Sequence, residues 1–494
     1  MTNSTKQDFD VVIVGAGISG INTAYRLQEA LPDYSYTVLE TRNEIGGTWS
    51  LFKYPGIRSD SDLFTFGFAW SPWEKENPIA DAPSILEYMN RVSKKAGIYD
   101  NIRFQNAVQK LEWKSDQQRW FISVEVNGEK QQTLSARFVV MGTGYYDQKR
   151  GLAADIPGIE NFKGQIIHPQ SWPEEYDYTD KKVIIIGSGA TAVTILPAMS
   201  DRAKHVTMLQ RSPGYFISLP TVGQPVENFI RRWMPTSLAH SLIRLKFMVQ
   251  GWLFIRWCRL QPEKAKKLLK TATEKELPKD VPYDPNFKPK YNPWNQRMCI
   301  VPGGDFFKAL RDGKGSVVTD TIDTVTESGV RTSSGRELDA DVIVTATGLK
   351  LQILAGIPVI IDGERYHPEE KYAWNGQMLQ GAPNLTYVFG YATASWTLGA
   401  DNTATSWIRT LKKMQQNKYT SVVPEVEDES KLVGKETSFL DLNSTYVATG
   451  AKGVMPKVTT QWPWMPRTNV IMDRFYANYG DMSTGLQFNR VAVD

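Results

Sequence analysis

Two stretches decide how this chain is read: VVIVGAGISG at residues 11–20 and VIIIGSGATA at residues 183–192. Each opens with four consecutive apolar residues, as expected of a parallel strand buried on both faces. A G-x-G-x-x-(G/A) turn and a helical pattern follow at once. Glycines in that context allow a tight turn and let backbone N–H groups and the helix N-terminus approach a pyrophosphate. In the first unit Gly15, Gly17 and Gly20 are followed by the apolar run 36–39, which ends in Glu40, an acid placed to accept hydrogen bonds from a ribose diol. That unit is expected to hold FAD or NAD.

The second unit departs from the first in two places. Ala192 replaces the third glycine, and the next strand, 205–209, runs on to Arg211 and Ser212 instead of an acid. A carboxylate there would repel a 2′-phosphate, whereas a guanidinium beside a hydroxyl would grip it. Gly187, Gly189, Ala190, Thr191, Arg211 and Ser212 are therefore the candidate residues for NADP(H).

Composition narrows the class further. At 494 residues the chain is long enough for two to four domains, and 57 basic against 53 acidic residues leave a net charge of only +4. Such a balance gives no footprint for nucleic acid. Cys258 and Cys299 are the only two cysteines, far apart, which excludes a disulfide framework and a redox-active pair, and makes a reducing, cytoplasmic setting the default. The four histidines show no ligand spacing, so no metal is expected. The start of the chain is polar and shows no cleavable signal. Residues 219–277 are helical in pattern, and five prolines between 277 and 295 predict an irregular connection. Pro197 is expected to kink or shorten the helix after the second glycine turn. The stretch 238–260 mixes apolar residues with Arg244, Lys246, Arg256 and Arg259; contact with a membrane interface is conceivable for it but not favoured.

Two dinucleotide units without a cysteine pair point to a flavoprotein that passes electrons from NADPH to dioxygen. The most specific feature lies just before the second unit: Phe162, Gly164, His168 and Trp172, followed by Pro173. Four fixed identities at about one in twenty each make a chance match rarer than about one in 10⁵ windows. Here the sequence resembles the class B flavoprotein monooxygenases, and specifically the Baeyer–Villiger monooxygenases, whose fingerprint is FxGxxxHxxxW(P/D). The flavin-containing N- and S-oxygenases look similar but usually carry Tyr where Trp172 stands. The resemblance extends over nearly the whole chain. Gly46-Gly47-Thr48-Trp49 and residues 54–60 look like the family's flavin-contacting loop, and residues 166–170 and 394–398 are similar to a bacterial subgroup that oxidises linear ketones and activates thioamide prodrugs.

The resemblance implies an α/β fold with two Rossmann-like dinucleotide-binding domains, one for FAD and one for NADP, and a helical insertion. Residues 1–149 and 341–494 would form the FAD domain, 150–218 and 296–340 the NADP domain, and 219–295 a helical subdomain packed on the NADP domain. It also implies NADPH- and O2-dependent conversion of ketones, or of thioethers to sulfoxides, through a C4a-peroxyflavin that must stay anionic. Arg297 would be the fixed cation that stabilises it, held by Asp60, with Gly47, Thr48 and Trp49 at the flavin and Trp396 in the substrate pocket. Asp60 or Asp62 could instead cap a helix starting near Leu63. His168 is not expected to be a general base, because the fingerprint segment links domains in that family. Gln296 stands where many relatives have lysine, leaving Arg211 and Ser212 more of the phosphate's charge. The alternatives are an N- or S-oxygenase acting on soft nucleophiles, or a non-catalytic flavin- and NADP-binding redox sensor.

Overall fold

The computed structural model describes residues 7–221, 225–440, 450–467 and 469–491; the polar start of the chain, residues 1–6, lies outside them. The first glycine turn leaves the C-terminal end of the strand Gln7–Val14, which runs parallel to Tyr36–Leu39 on one side and Lys130–Met141 on the other. Val11, Val12 and Ile13 have no exposed surface, as a strand covered on both faces requires. The helix Ile18–Ala30 buries Ile18, Ile21, Ala24 and Leu27, spaced three apart along one face, and ends just before Pro32. Beyond Lys130–Met141 the sheet continues as an antiparallel meander through Arg119–Val126 and Asn106–Lys114. The uncharged stretch 372–400 supplies Leu385–Tyr387, which pairs with the end of Lys130–Met141.

A second, five-stranded parallel sheet runs Gly315–Thr319, His205–Gln210, Lys182–Ile186, Val342–Thr345, Gln165–Ile167. Its membership corrects the boundary drawn at residue 341. Val342–Thr345 sits at the centre of the second sheet, hydrogen-bonded on both sides, so the second domain extends through Thr345. Its three-residue apolar run, 342–344, could satisfy either sheet, and only pairing decides between them. The helix Ala190–Ser200 contains Pro197 and continues past it to Ser200.

The helical insertion leaves at the strand Phe216–Leu219 and returns at Cys299–Pro302, and these two strands pair in parallel. Between them lie the helices Pro225–Trp233, Thr236–Leu260, Pro262–Glu276 and Tyr283–Asn286. The insertion packs on both domains, not on the second alone. Ile243 joins the core of the first domain, and Phe247 meets Phe64 with ring centroids 4.9 Å apart. Arg244 donates to the carbonyls of Phe64 (3.0 Å) and Gly67 (2.7 Å). At the other end Cys258, Ala265 and Leu269 pack with Tyr215 and Met298. No helix of the described residues is long and apolar enough to cross a membrane.

Candidate functional site

The three glycines of the first turn have three separate physical reasons. Gly15 has φ +101°, a left-handed conformation, and a Cβ there would lie 2.9 Å from the carbonyl oxygen of Gly142. Gly20 lies so close to its own strand that a Cβ would stand 1.9 Å from the Gly15 carbonyl oxygen. Gly17 has neither constraint: its φ is −77°, and a Cβ would meet its nearest protein atom, Gly47 Cα, at an ordinary 3.5 Å. The second unit repeats this division. Gly187 has φ +136° and would collide with the Ala346 carbonyl, whereas a Cβ on Gly189 would meet nothing within 4 Å. The middle glycines thus keep space clear in front of the helices Ile18–Ala30 and Ala190–Ser200, neither of which has a side-chain cap at its N-terminus. Uncapped N–H groups facing open space are what a pyrophosphate fits.

The first of these spaces belongs to a cavity of about 600 Å³. Gly15, Gly17, Glu40, Gly47, Thr48 and Trp49 line it, and so do Asp60, Arg297 and Trp396. One cavity therefore brings together the residues assigned to the flavin and to catalysis except Gly20, which lies behind the turn, and residues 54–58 of the loop 54–60. Glu40 is buried, with Oε2 accepting the Ala16 N–H (2.8 Å) and Oε1 the Arg42 N–H (3.0 Å). A carboxylate has about four acceptor sites, so two remain for a ribose diol. Arg42, which the sequence reading passed over, donates to Gly47 O and Ser50 Oγ, both at 2.7 Å, and so fixes the loop that carries Gly47 and Thr48.

Arg297 reaches this cavity from the loop that closes the helical insertion. Its Nη2 donates to Asp60 Oδ1 at 2.8 Å and its Nε lies 2.7 Å from Asp60 Oδ2, a two-point fork. Further bonds run to Ser61 Oγ (3.1 Å) and the Ala392 carbonyl (3.1 Å). About a third of the arginine side chain (34%) stays accessible in the cavity wall. Burial opposes the guanidinium charge, but Asp60 outweighs it and holds the pKa above its ordinary value. Asp62, not Asp60, is the helix cap: its Oδ1 accepts the Thr65 N–H at 2.8 Å. The two aspartates divide the roles that sequence left open between them.

The loop 54–60 serves both domains. Tyr54, partly buried, packs against the core of the second domain beside Thr191, where desolvation pushes its hydroxyl up to about 12. Gly56 lies where a Cβ would come within 2.6 Å of Ala198 Cβ, and Arg58 is ion-paired with Asp305. Three residues of this loop thus dock on the second domain before Asp60 and Ser61 turn to Arg297. Trp396 donates to Ser19 Oγ (2.8 Å) and stacks on Tyr145 at 5.1 Å between ring centroids. Tyr145 and Tyr146 also line the cavity; the small-residue turn at 141–144 was their only signal in the sequence. Cys299, two residues past Arg297, is a buried thiol pushed up to about 12 by its burial.

The fingerprint residues lie away from this cavity. Phe162 and Trp172 are buried in two cores of the second domain. Gly164 permits close approach to the Asp341 carbonyl, 2.4 Å from where a Cβ would be. His168 Nδ1 accepts the Gln170 N–H at 3.2 Å, and burial holds its pKa below the ordinary value, so the ring is a neutral structural acceptor. Arg211 and Ser212 stand exposed beyond the strand His205–Gln210, with Ser188 Oγ donating to the Ser212 carbonyl at 2.9 Å beside the second glycine turn. Among the described residues no cluster of His, Cys, Asp and Glu could hold a metal ion.

Residues 8–281 match the model of the flavin-binding monooxygenase-like family. The FAD-containing monooxygenase EthA of Mycolicibacterium smegmatis is 44% identical over 468 residues, 94% of each chain. EthA of Mycobacterium tuberculosis is 42% identical over the same length, again 94% of each chain. Among solved structures, a cyclohexanone monooxygenase from Rhodococcus sp. Phi1 bound to NADP+ superimposes with a TM-score of 0.78 over 99% of this chain and 100% of that one, at 19% identity. A steroid monooxygenase bound to NADP gives 0.76 over 98% and 100%, also at 19%. At such identity the likeness is one of fold.

Proposed function

The chain belongs to the flavin-binding monooxygenase-like family, and from that premise we propose that it is an NADPH- and O2-dependent Baeyer–Villiger monooxygenase that converts ketones to esters. FAD and NADP(H) are its cofactors. When bound, FAD accepts hydride from NADPH and activates dioxygen. Everything else falls to the protein's own groups.

One observation carries the reading: a cation that cannot lose its proton, gripped at two points by a carboxylate, stands in the wall of the cavity that the first glycine turn opens onto. Insertion of oxygen beside a carbonyl needs an oxygen nucleophile that stays anionic and a carbonyl oxygen that can take up negative charge. A guanidinium stabilises both by hydrogen bonds and charge, and it has no proton to give away at neutral pH. Asp60 fixes its plane and keeps it from folding back on the protein. Trp49, Tyr145 and Trp396 supply apolar walls that keep water from the anion. An oxygenase for soft nucleophiles needs no such fixed cation.

Product analysis tests the proposal. Holoprotein given NADPH, air and ketones of graded chain length is expected to yield esters, with sulfoxide formed from a thioether as a side reaction. Sulfoxide alone, with no ester from any ketone, overturns it. A protein that is colourless, or yellow but not bleached by NADPH, would favour the non-catalytic redox sensor.

Two variants check the coenzyme assignment. Arg211→Ala is expected to raise KM for NADPH about tenfold or more while sparing NADH, since only the former carries a 2′-phosphate. Gly189→Ala puts a methyl group into space that no protein atom claims, so it is expected to raise KM for both coenzymes and leave bound FAD unchanged. Equal effects of Arg211→Ala on both coenzymes would show that the guanidinium does not read the phosphate.

A further inference from the structure

We propose that the helical insertion is a docking surface for an anionic lipid bilayer, lying on its interface without crossing it. The helix Pro225–Trp233 is built inside out. Its one acid, Glu227, is 1% exposed and ion-paired with Lys246, while Val226 (51%), Phe229 (62%) and Trp233 (66%) face solvent at helical spacing. The next helix, Thr236–Leu260, carries Leu238, Leu245, Leu253 and Leu260 on its outer face, each 46–63% exposed. Their spacing of seven or eight residues places them in one line, and the 22 residue steps from Leu238 to Leu260 make that line about 33 Å long. Its other side is spent on Ala239, Ile243 and Met248, which are buried.

Charge decides what covers such a stripe. Residues 225–260 hold six basic side chains and one acid, the buried Glu227. Arg244 is turned inward to the Phe64 and Gly67 carbonyls, but Arg232, Arg256 and Arg259 stand at the surface among the apolar residues. Arg232 lies 5.9 Å from the ring of Trp233, and Arg256 the same distance from that of Trp252. A second copy of this face would bring the same arginines together, which opposes self-association. A plane of acyl chains under anionic headgroups matches both the long apolar line and the arginine–tryptophan pairs, whose apolar bodies and polar ends suit an interface. The helix Val470–Tyr479 adds Met472, Phe475 and Tyr479, also exposed, and is anchored beside Met248 through Val470. None of this rests on the ketone reading, so either can fail alone.

Flotation of the FAD-loaded protein with vesicles is the test. Vesicles of phosphatidylcholine with phosphatidylglycerol are expected to carry the protein up the gradient, and pure phosphatidylcholine vesicles about tenfold less. Salt at ~1 M shortens the screening length to about 3 Å and is expected to weaken the binding. The pair Phe229→Ser and Trp233→Ser, both on exposed positions, is expected to abolish flotation with flavin content and NADPH oxidation unchanged. Arg256→Gln with Arg259→Gln is expected to remove the preference for the anionic vesicles. Absence of flotation with either vesicle, or flotation that survives both variants, overturns the proposal. So does a dimer in solution that dissociates in the Phe229→Ser, Trp233→Ser protein, because the stripe would then be covered by a second copy.

Discussion

Arg297→Ala is expected to keep flavin reduction by NADPH within a few-fold of the parent enzyme and to lower ester formation by about 10²–10³-fold, the cost of losing one preorganised donor to a developing oxyanion. Reduction needs the coenzyme beside the flavin but no cation for an oxygen anion, so the two half-reactions separate. NADPH oxidation then continues with oxygen released as hydrogen peroxide. Stopped-flow reduction without oxygen, followed by product and peroxide assays in air, reads each quantity. Arg297→Lys restores the charge without the two-point fork to Asp60, since an ammonium offers no planar pair of donors, and is expected to recover only part of the ester yield. An Arg297→Ala enzyme with full ester yield removes this residue from the chemistry.

Gly20→Val is expected to cost about 3 kcal/mol or more, out of a total stability of about 5–15 kcal/mol, and to give protein largely free of flavin. The obstacle is backbone: a Cβ at residue 20 would stand 1.9 Å from the Gly15 carbonyl oxygen. No rotamer relieves that contact, so the helix Ile18–Ala30 must move off the strand Gln7–Val14. The turn at Gly15–Gly17 would move with it, and so would Ser19, the partner of Trp396. The thermal midpoint and the ratio of flavin to protein measure the effect, with Gly189→Ala as the control in which a methyl group meets no protein. A Gly20→Val protein with parental midpoint and full flavin would show that helix and strand are not held by this contact. Ala192 occupies the corresponding place in the second unit and has no exposed surface.

The parts of this protein that sequence alone determined are local. A four-residue apolar run, a G-x-G turn and the acid or arginine at the next strand end lie within 30 residues of each other, so both dinucleotide units were legible from local sequence. The pairing of Arg297 with Asp60 was reached only through resemblance, because 237 residues separate them and no local pattern links a loop arginine to one carboxylate among many. Asp60 and Asp62 looked equivalent until the Thr65 N–H was seen to lie on Asp62. Val342–Thr345 could have joined either sheet, since an apolar run records that a strand is buried but not beside which neighbours. The leucines of Thr236–Leu260 make the same point in reverse. Periodicity shows that a helix has an apolar face, but whether that face is covered depends on segments far away in the chain, and here tertiary packing buried one side and left the leucine line uncovered.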